Sequence, residues 1–220
     1  MVIFKPSKYL LQKKIIKLSF YLTGKMLDAG FGGLDRYSSF FPKVTQRITL
    51  DVCAKYNPNI LNSVEKIDKI NNDEFDSVIC TQVLGDVLSP QKALKEFFRI
   101  LKPGGYLLIS ESFFNELHGE PFDYWRFTNY GLKLLTKEQG FSIVCIESYG
   151  GFFSTIAQMK IRYLIDRLGL YNKKILNIFF RLPIKLFGHF MIYLDKIDSS
   201  VTNKKFAIGW VVLAQKPKNP

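Results

Sequence analysis

The stretch Lys25-Met26-Leu27-Asp28-Ala29-Gly30-Phe31-Gly32-Gly33 constrains this chain most. Apolar residues run into an aspartate and then into a turn with three glycines. A buried parallel strand ends this way when the loop behind it lies against a ligand. Glycine is wanted there because the backbone turns sharply and nothing can protrude where the ligand rests. Such a loop belongs to an open α/β sheet, which binds ligands beyond the carboxyl ends of its strands. A dinucleotide fingerprint needs its third glycine at position 35, where Asp35 stands, so a nicotinamide site is disfavoured.

The residues that follow predict the rest of such a sheet. Residues 34–43 read as a short irregular helix ended by Pro42, and Arg47-Ile48-Thr49-Leu50-Asp51 as a second strand. Asp51 then lies at a strand's carboxyl end, where a carboxylate can accept hydrogen bonds from both hydroxyls of a ribose. Residues 60–64 read as a short third strand. Phe75–Cys80 reads as a fourth, with Thr81-Gln82-Val83-Leu84 leading out of it. Pro90 suits the first turn of a helix running to Leu101, with Ala93, Leu94, Phe97, Phe98 and Leu101 as its apolar stripe. Lys102-Pro103-Gly104-Gly105 should stop it, before a fifth strand at Tyr106–Ser110. Phe141–Glu147 and Lys205–Ala214 read as the sixth and last strands.

Three of these features together resemble the class I S-adenosylmethionine-dependent methyltransferases, of the type 11-like kind. They are Asp-x-Gly-x-Gly from Asp28 to Gly32, the strand-end Asp51, and the run from Asn72-Asp73-Glu74-Phe75-Asp76 through Lys102-Pro103-Gly104-Gly105-Tyr106. The resemblance covers residues 25–150. It implies a Rossmann-like α/β fold whose seven-stranded sheet is mostly parallel, with helices on both faces. The last strand should be antiparallel and lie between the fifth and sixth. It also implies S-adenosyl-L-methionine as cofactor, held by Asp28, Gly30, Gly32, Asp51, Ser63, Val64, Thr81 and Gln82. The chain departs from the family at three places. Leu34 stands where a third glycine is usual, Ser63 where an aspartate often meets the adenine, and Leu84-Gly85-Asp86 where Leu-Glu-His is often found.

The acceptor side is expected in His118-Gly119-Glu120-Pro121-Phe122-Asp123-Tyr124-Trp125-Arg126-Phe127-Thr128. This segment resembles members found with bacterial surface-polysaccharide biosynthesis enzymes. His118 is the best-matched general base by intrinsic pKa, and Asp123 is the alternative. The Arg126 fork could hold a phosphate or carboxylate, and Tyr124 and Trp125 could stack on a sugar or aromatic ring. The blander reading is a folded lid held by an Asp123–Arg126 pair, without chemistry. Thr128 suits the N-cap of a helix through Gly131, Leu132 and Leu135.

The domain expectation has three parts: a basic amphipathic helix in 1–24, a core of 25–151 plus 205–215, and a basic, apolar helical insertion at 152–204. In the first, Leu11, Ile15, Leu18 and Leu22 recur at helical spacing. In the insertion, Ile175, Ile178, Phe179 and Leu182 share one face and Pro183 should break or kink the helix. An apolar stripe flanked by Lys and Arg fits an anionic membrane surface, or a face packed on the core or on a second subunit. No stretch reaches the ~20 apolar residues of a span, and no secretory signal is evident.

The formal charge of +12 points to an anionic partner or to a merely solubilising lysine content. Cys53, Cys80 and Cys145 lie far apart and read as reduced core thiols; with two histidines in the chain, no metal site is expected. The functional expectation is methyl transfer to a small-molecule, saccharide or lipid-linked acceptor. O-methylation is expected, in the cytoplasm and peripherally at the inner face of a membrane. The alternatives are a catalytically degenerate scaffold, or a nucleic-acid methyltransferase. The latter is disfavoured because no Asn/Asp-Pro-Pro-Tyr-type motif follows the fourth strand.

Overall fold

The structure is a computed structural model that describes residues 3–33 and 38–218. Its chain divides into two compact units. One comprises Ile15–Ser112, His118–Glu147 and Trp210–Pro220 and carries most of the sheet. The other comprises Met1–Lys14, Phe113–Leu117 and Ser148–Gly209 and is helical.

Seven strands form one sheet in the order β3-β2-β1-β4-β5-β7-β6. They are β1 (Thr23–Ala29), β2 (Lys43–Asp51), β3 (Ile60–Leu61), β4 (Phe75–Thr81), β5 (Leu101–Ser112), β6 (Ser142–Tyr149) and β7 (Gly209–Gln215). The pairs β1–β2, β1–β4, β2–β3 and β4–β5 are parallel. β7 runs against β5: Gly104 N–H donates to Lys216 O, and Lys216 N–H to Gly105 O, at one end. At the other end of β5, Phe113 N–H donates to Ile208 O. The chain order reverses beside β1, which is where ligands bind in sheets of this kind.

β1 is central because both its faces are covered. Met26, Leu27 and Ala29 are fully buried, and Asp28 between them is buried as well, its carboxylate meeting Arg47. Helix α2 (Pro90–Ile100) starts with Pro90 in its first turn and buries Ala93, Leu94, Phe97 and Ile100 in the same core. Helix α3 (Asn129–Glu138) is capped as expected, the Thr128 Oγ1 accepting from Gly131 N–H at 3.0 Å.

The helical unit holds α4 (Phe152–Leu168), α5 (Lys174–Ile197) and the short α6 (Val201–Lys204). Helix α1 (Pro6–Leu18) begins in it and buries Leu11, Ile15 and Leu18. Ala157, Ile161 and Ile165 of α4 pack with Ile3, Leu170 and Ile184. Asp195 of α5 caps α4, accepting from the N–H groups of Gly151, Phe153 and Ser154, each at 3.0 Å. Gly188 lets the Phe4 ring in; a Cβ there would lie 2.5 Å from it.

Several expectations are corrected. Residues 34–37 of the expected helix before Pro42 lie outside the described residues, and 38–40 form a single 3-10 turn. β2 begins at Lys43 rather than Arg47, and β3 keeps only two of its five residues. Lys102-Pro103-Gly104-Gly105 lies inside β5 rather than in a turn, because Leu101 already pairs with Phe75 and Gly104 and Gly105 bond to Lys216. The last strand starts at Gly209, since α6 takes up 201–204. Pro183 does not break α5: it is exposed, and burial of Asn177, Ile184, Gly188 and Ile192 on either side outweighs the one ladder bond a proline removes. That unbroken 24-residue helix is also long and apolar enough to cross a membrane by length and composition. The expectation that nothing approaches a span fails because Arg181 and Lys185 are the only charges across its middle. Of the three cysteines only Cys80 is fully in the core, where burial pushes its thiol well up; Cys53 and Cys145 are half-buried.

Candidate functional site

A cavity of about 240 Å³ opens at the carboxyl ends of β1, β2 and β4, lined by Gly30, Gly32, Asp51, Val64, Gln82 and Val83 among others. The first wall is the glycine turn. Gly30 has φ +77, and a Cβ there would lie 2.2 Å from Val83 Cγ2, so only glycine fits between β1 and the loop after β4. The N–H groups of Gly30 and Phe31 both donate to Leu50 O, which ties the turn to β2.

Asp51 holds the second wall. Its Oδ2 accepts from Gly32 N–H and its Oδ1 from Cys53 N–H, both at 2.8 Å. Each oxygen retains a lone pair for a ligand hydroxyl. Asp51 is 8% exposed, so such a bond would form in a dry place.

The third wall is the loop after β4. Gln82 adopts φ +57, a left-handed conformation that a non-glycine residue keeps only when its surroundings enforce it. Here Gln82 N–H donates to Ser110 O at 2.8 Å, and its side-chain Oε1 accepts from the Ser112 hydroxyl at 2.5 Å. The loop beyond it is pinned by Glu111, which is fully enclosed. Its carboxylate accepts from the N–H groups of Val83 (3.0 Å), Leu84 (2.8 Å) and Gly85 (3.3 Å). Burial pushes its carboxyl up to about 8 despite those donors.

That loop also anchors the segment predicted for the acceptor. Gly85 O accepts from the N–H groups of both Tyr124 and Trp125, and Trp125 Nε1 donates to Val87 O at 2.9 Å. The Tyr124 and Trp125 rings are partly exposed. His118 lies between two carboxylates, its Nδ1 3.2 Å from Asp123 Oδ2 and its Nε2 3.7 Å from Asp86 Oδ1. Asp123 is committed elsewhere as well: Arg126 forks onto both its oxygens and His118 N–H donates to Oδ2 at 3.0 Å. The Arg126 guanidinium, with burial opposing it, holds the Asp123 carboxyl down to about 2. Asp86 differs, since burial raises its carboxyl, and its enclosed Oδ1 makes no hydrogen bond among the described residues.

Of the residues expected around a cofactor, Gly30, Gly32, Asp51, Ser63, Val64 and Gln82 line this cavity. Asp28 and Thr81 are not among its lining residues. Asp28 is buried and its carboxylate meets Arg47 of β2. Thr81 pairs with Ser110 in the sheet. The Ser63 hydroxyl is already turned to Glu65 N–H at 3.1 Å. Sequence reasoning missed Asn62, Val83, Asp86 and Val87 as lining residues, and Glu111 as the support of the loop. Asp86 could have been found, since it stands where the family pattern is interrupted; Glu111 left no signal inside an apolar strand. Arg126, expected to hold an acceptor anion, is spent on Asp123 and on Trp125 O. No metal was expected, yet Asp86, His118 and Asp123 offer ligand atoms within 4.8 Å of one another. A cation at Asp123 would meet Arg126 there, so the cluster is better suited to moving a proton than to holding a metal.

Residues 33–109 match the family described as Methyltransferase domain. Human thiol S-methyltransferase TMT1B is 33% identical over 94 residues, which are 43% of this chain and 36% of that protein. The rat protein of the same name is 40% identical over 78 residues, 36% of this chain and 32% of its own. The chain thus spans about a third of the length of these curated relatives. Among solved structures, the cyclase SpnF superposes with TM-score 0.57 at 18% identity, over 94% of this chain and 80% of that one. N-methyltransferase NodS from Bradyrhizobium japonicum, in complex with S-adenosyl-L-homocysteine, superposes with TM-score 0.56 at 10% identity, over 96% and 87%. These likenesses show the fold, and the reactions in the names differ from one another.

Proposed function

We propose, from the premise that this chain belongs to the class I methyltransferases through the domain at residues 33–109, that it transfers a methyl group from S-adenosyl-L-methionine to the hydroxyl of a saccharide or lipid-linked acceptor. The cavity at the strand ends supports the cofactor part. Gly30 and Gly32 leave the turn bare, Asp51 offers acceptor oxygens for ribose hydroxyls, and Val64, Val83 and Val87 give an apolar slot of the kind a flat base fills.

When bound, the cofactor supplies an electrophilic methyl on a positively charged sulfur with a good leaving group. The protein's task is to aim the acceptor and take up its proton. Asp123 orients His118 through Nδ1, and Nε2, 3.7 Å from Asp86 Oδ1, is the nitrogen assigned to receive the acceptor's proton. Asp86 would then face the imidazolium with a carboxylate and ease its charge. His118 Nε2 would take up the proton that the acceptor hydroxyl gives up as its oxygen receives the methyl group. Asp123, held ionised by Arg126, serves as the orienting group rather than the base. The half-exposed Tyr124 and Trp125 rings offer a stacking surface for a sugar.

The observation that carries this reading is His118 held between Asp123 and Asp86, on a segment hydrogen-bonded to the loop that walls the cavity. A second acceptor class is favoured by the name of the human and rat relatives. A thiol would need the same base and less help, because its anion forms more readily. The test begins with calorimetric titration of S-adenosylhomocysteine. Turnover with lipid-linked sugars and with small thiols, in wild type and His118→Ala, follows. Cofactor binding without turnover on either class would overturn the acceptor reading; absence of cofactor binding in the folded protein would overturn both.

A further inference from the structure

We infer that α5 is a membrane-docking element that seats the protein on an anionic bilayer, with a lipid phosphate clasped between Arg181 and Lys185. This concerns a surface of the helical unit and stands whether or not the acceptor is lipid-linked.

The outward face of α5 is apolar from end to end. Ile175, Phe179, Leu182, Leu186, Phe190 and Tyr193 are each more than half exposed. Their steps of three and four residues place them in one stripe about 27 Å long. A run of that size is more than a monomer ordinarily leaves in water. Cations border it on one side. Lys174, Arg181, Lys185 and Lys196 are all exposed, and each immediately precedes an apolar exposed residue, Ile175, Leu182, Leu186 and Ile197. The one acidic residue of the helix, Asp195, is turned inward to cap α4, so no negative charge of α5 opposes an anionic surface. An apolar face edged with Lys and Arg is the form of a helix lying in a bilayer interface.

The cleft supplies the specific contact. Ile178, Arg181, Leu182 and Lys185 enclose about 310 Å³ on this face, and neither cation has an ion-pair partner among the described residues. Two cations one helical turn apart above apolar side chains suit a phosphodiester with its acyl chains below.

The opposite face decides that the helix lies on the membrane rather than crossing it. Asn177, Ile184, Gly188 and Ile192 are buried within the helical unit, and Asn177 Nδ2 donates to Leu170 O at 3.1 Å. Crossing would strip these contacts and carry Asn177 and Asp195 toward hydrocarbon, which is costly.

The test is co-sedimentation of the full chain with vesicles of phosphatidylcholine alone, or with about one third phosphatidylglycerol. Binding should be at least about tenfold tighter to the anionic vesicles, since each cation near such a surface is worth roughly a fivefold gain. Phe179→Glu with Leu186→Glu should abolish binding, and Arg181→Glu with Lys185→Glu should remove the anionic preference. All four sites are exposed, and unchanged circular dichroism and S-adenosylhomocysteine affinity would show the variants folded. That titration also keeps failure of docking distinct from failure of the enzymatic reading. No vesicle binding, equal binding to both vesicle types, or variants that bind like wild type would overturn the inference. Resistance to alkaline extraction would overturn the flat seating. A soluble dimer split by Phe179→Glu, without vesicle binding, would give this face to a second copy instead.

Discussion

His118 Nδ1 stands 3.2 Å from Asp123 Oδ2, and the Asp123 side chain, 2% exposed, is held on its far side by Arg126. The imidazole therefore has a fixed ring orientation, with Nε2 3.7 Å from Asp86 Oδ1. This chain of four side chains comes from an eleven-residue stretch and the loop after β4, and several measurements follow from it.

His118→Ala should lower turnover by about 10²- to 10⁴-fold while leaving S-adenosylhomocysteine affinity within a factor of about two, the ordinary worth of a general base. Asp123→Asn should lower turnover while shifting the pH–rate profile, because the ring loses its orienting anion. Single-turnover kinetics with the true acceptor check both. An unchanged rate in His118→Ala would remove the base from the mechanism.

Asp51→Ala should weaken S-adenosylhomocysteine by about 10- to 100-fold, the worth of hydrogen bonds to a buried charged acceptor. It should also loosen the glycine turn, since Gly32 and Cys53 N–H lose their partner. Calorimetry reads the first effect and amide exchange at Gly32 the second.

Arg126→Ala should destabilise the fold by about 3 kcal/mol, because it leaves a nearly buried Asp123 carboxylate with its main counter-charge gone. Asp123 is depressed from 3.8 to about 2. Its contribution to stability is therefore present above pH 3.8 and lost as pH falls toward 2. Urea unfolding of wild type and Arg126→Ala at pH 7 and pH 3 checks this. If Arg126 served only to grip an acceptor, the variant would unfold like wild type.

Glu111 predicts a pH dependence of the opposite sense. Its carboxyl is raised from 4.5 to about 8 by burial. Between those values the folded state binds the proton that the unfolded state has released, so stability falls as pH rises from about 5 to 8. Glu111→Gln should flatten that slope. It should also raise the KM for S-adenosylmethionine, because the amide NH2 that replaces one carboxyl oxygen cannot accept from the Val83, Leu84 or Gly85 N–H it would face in the cavity wall. Denaturant midpoints across pH 5 to 9 give the first result and initial rates the second.

Local chemistry accounts for what was legible in the sequence. Short apolar runs that end in Asp or in glycines suit buried strands meeting a ligand loop. From these the individual strands, the glycine turn and Asp51 at a strand end could be read, while the seven-stranded order with its antiparallel last strand came from the family resemblance. The Thr128 cap and the stripe of α2 were also readable, since they depend on neighbours three and four residues away.

Contacts between distant segments decided the rest. Glu111 beneath Val83–Gly85 and Asp86 facing His118 each rest on a pairing that no spacing encodes, whereas the Asp123–Arg126 pair, three residues apart, was one of the readings the sequence offered. Pro183 shows the same limit from the other side. Its local preference is to end a helix, and only the buried face of α5 shows why the helix continues. Sequence alone determined the kind of sheet and where its ligand loop lies, because periodicity and backbone geometry are local. The tertiary structure decided which side chains carry charge, which face the cavity and which are already taken, because desolvation and pairing exist only once the chain has folded.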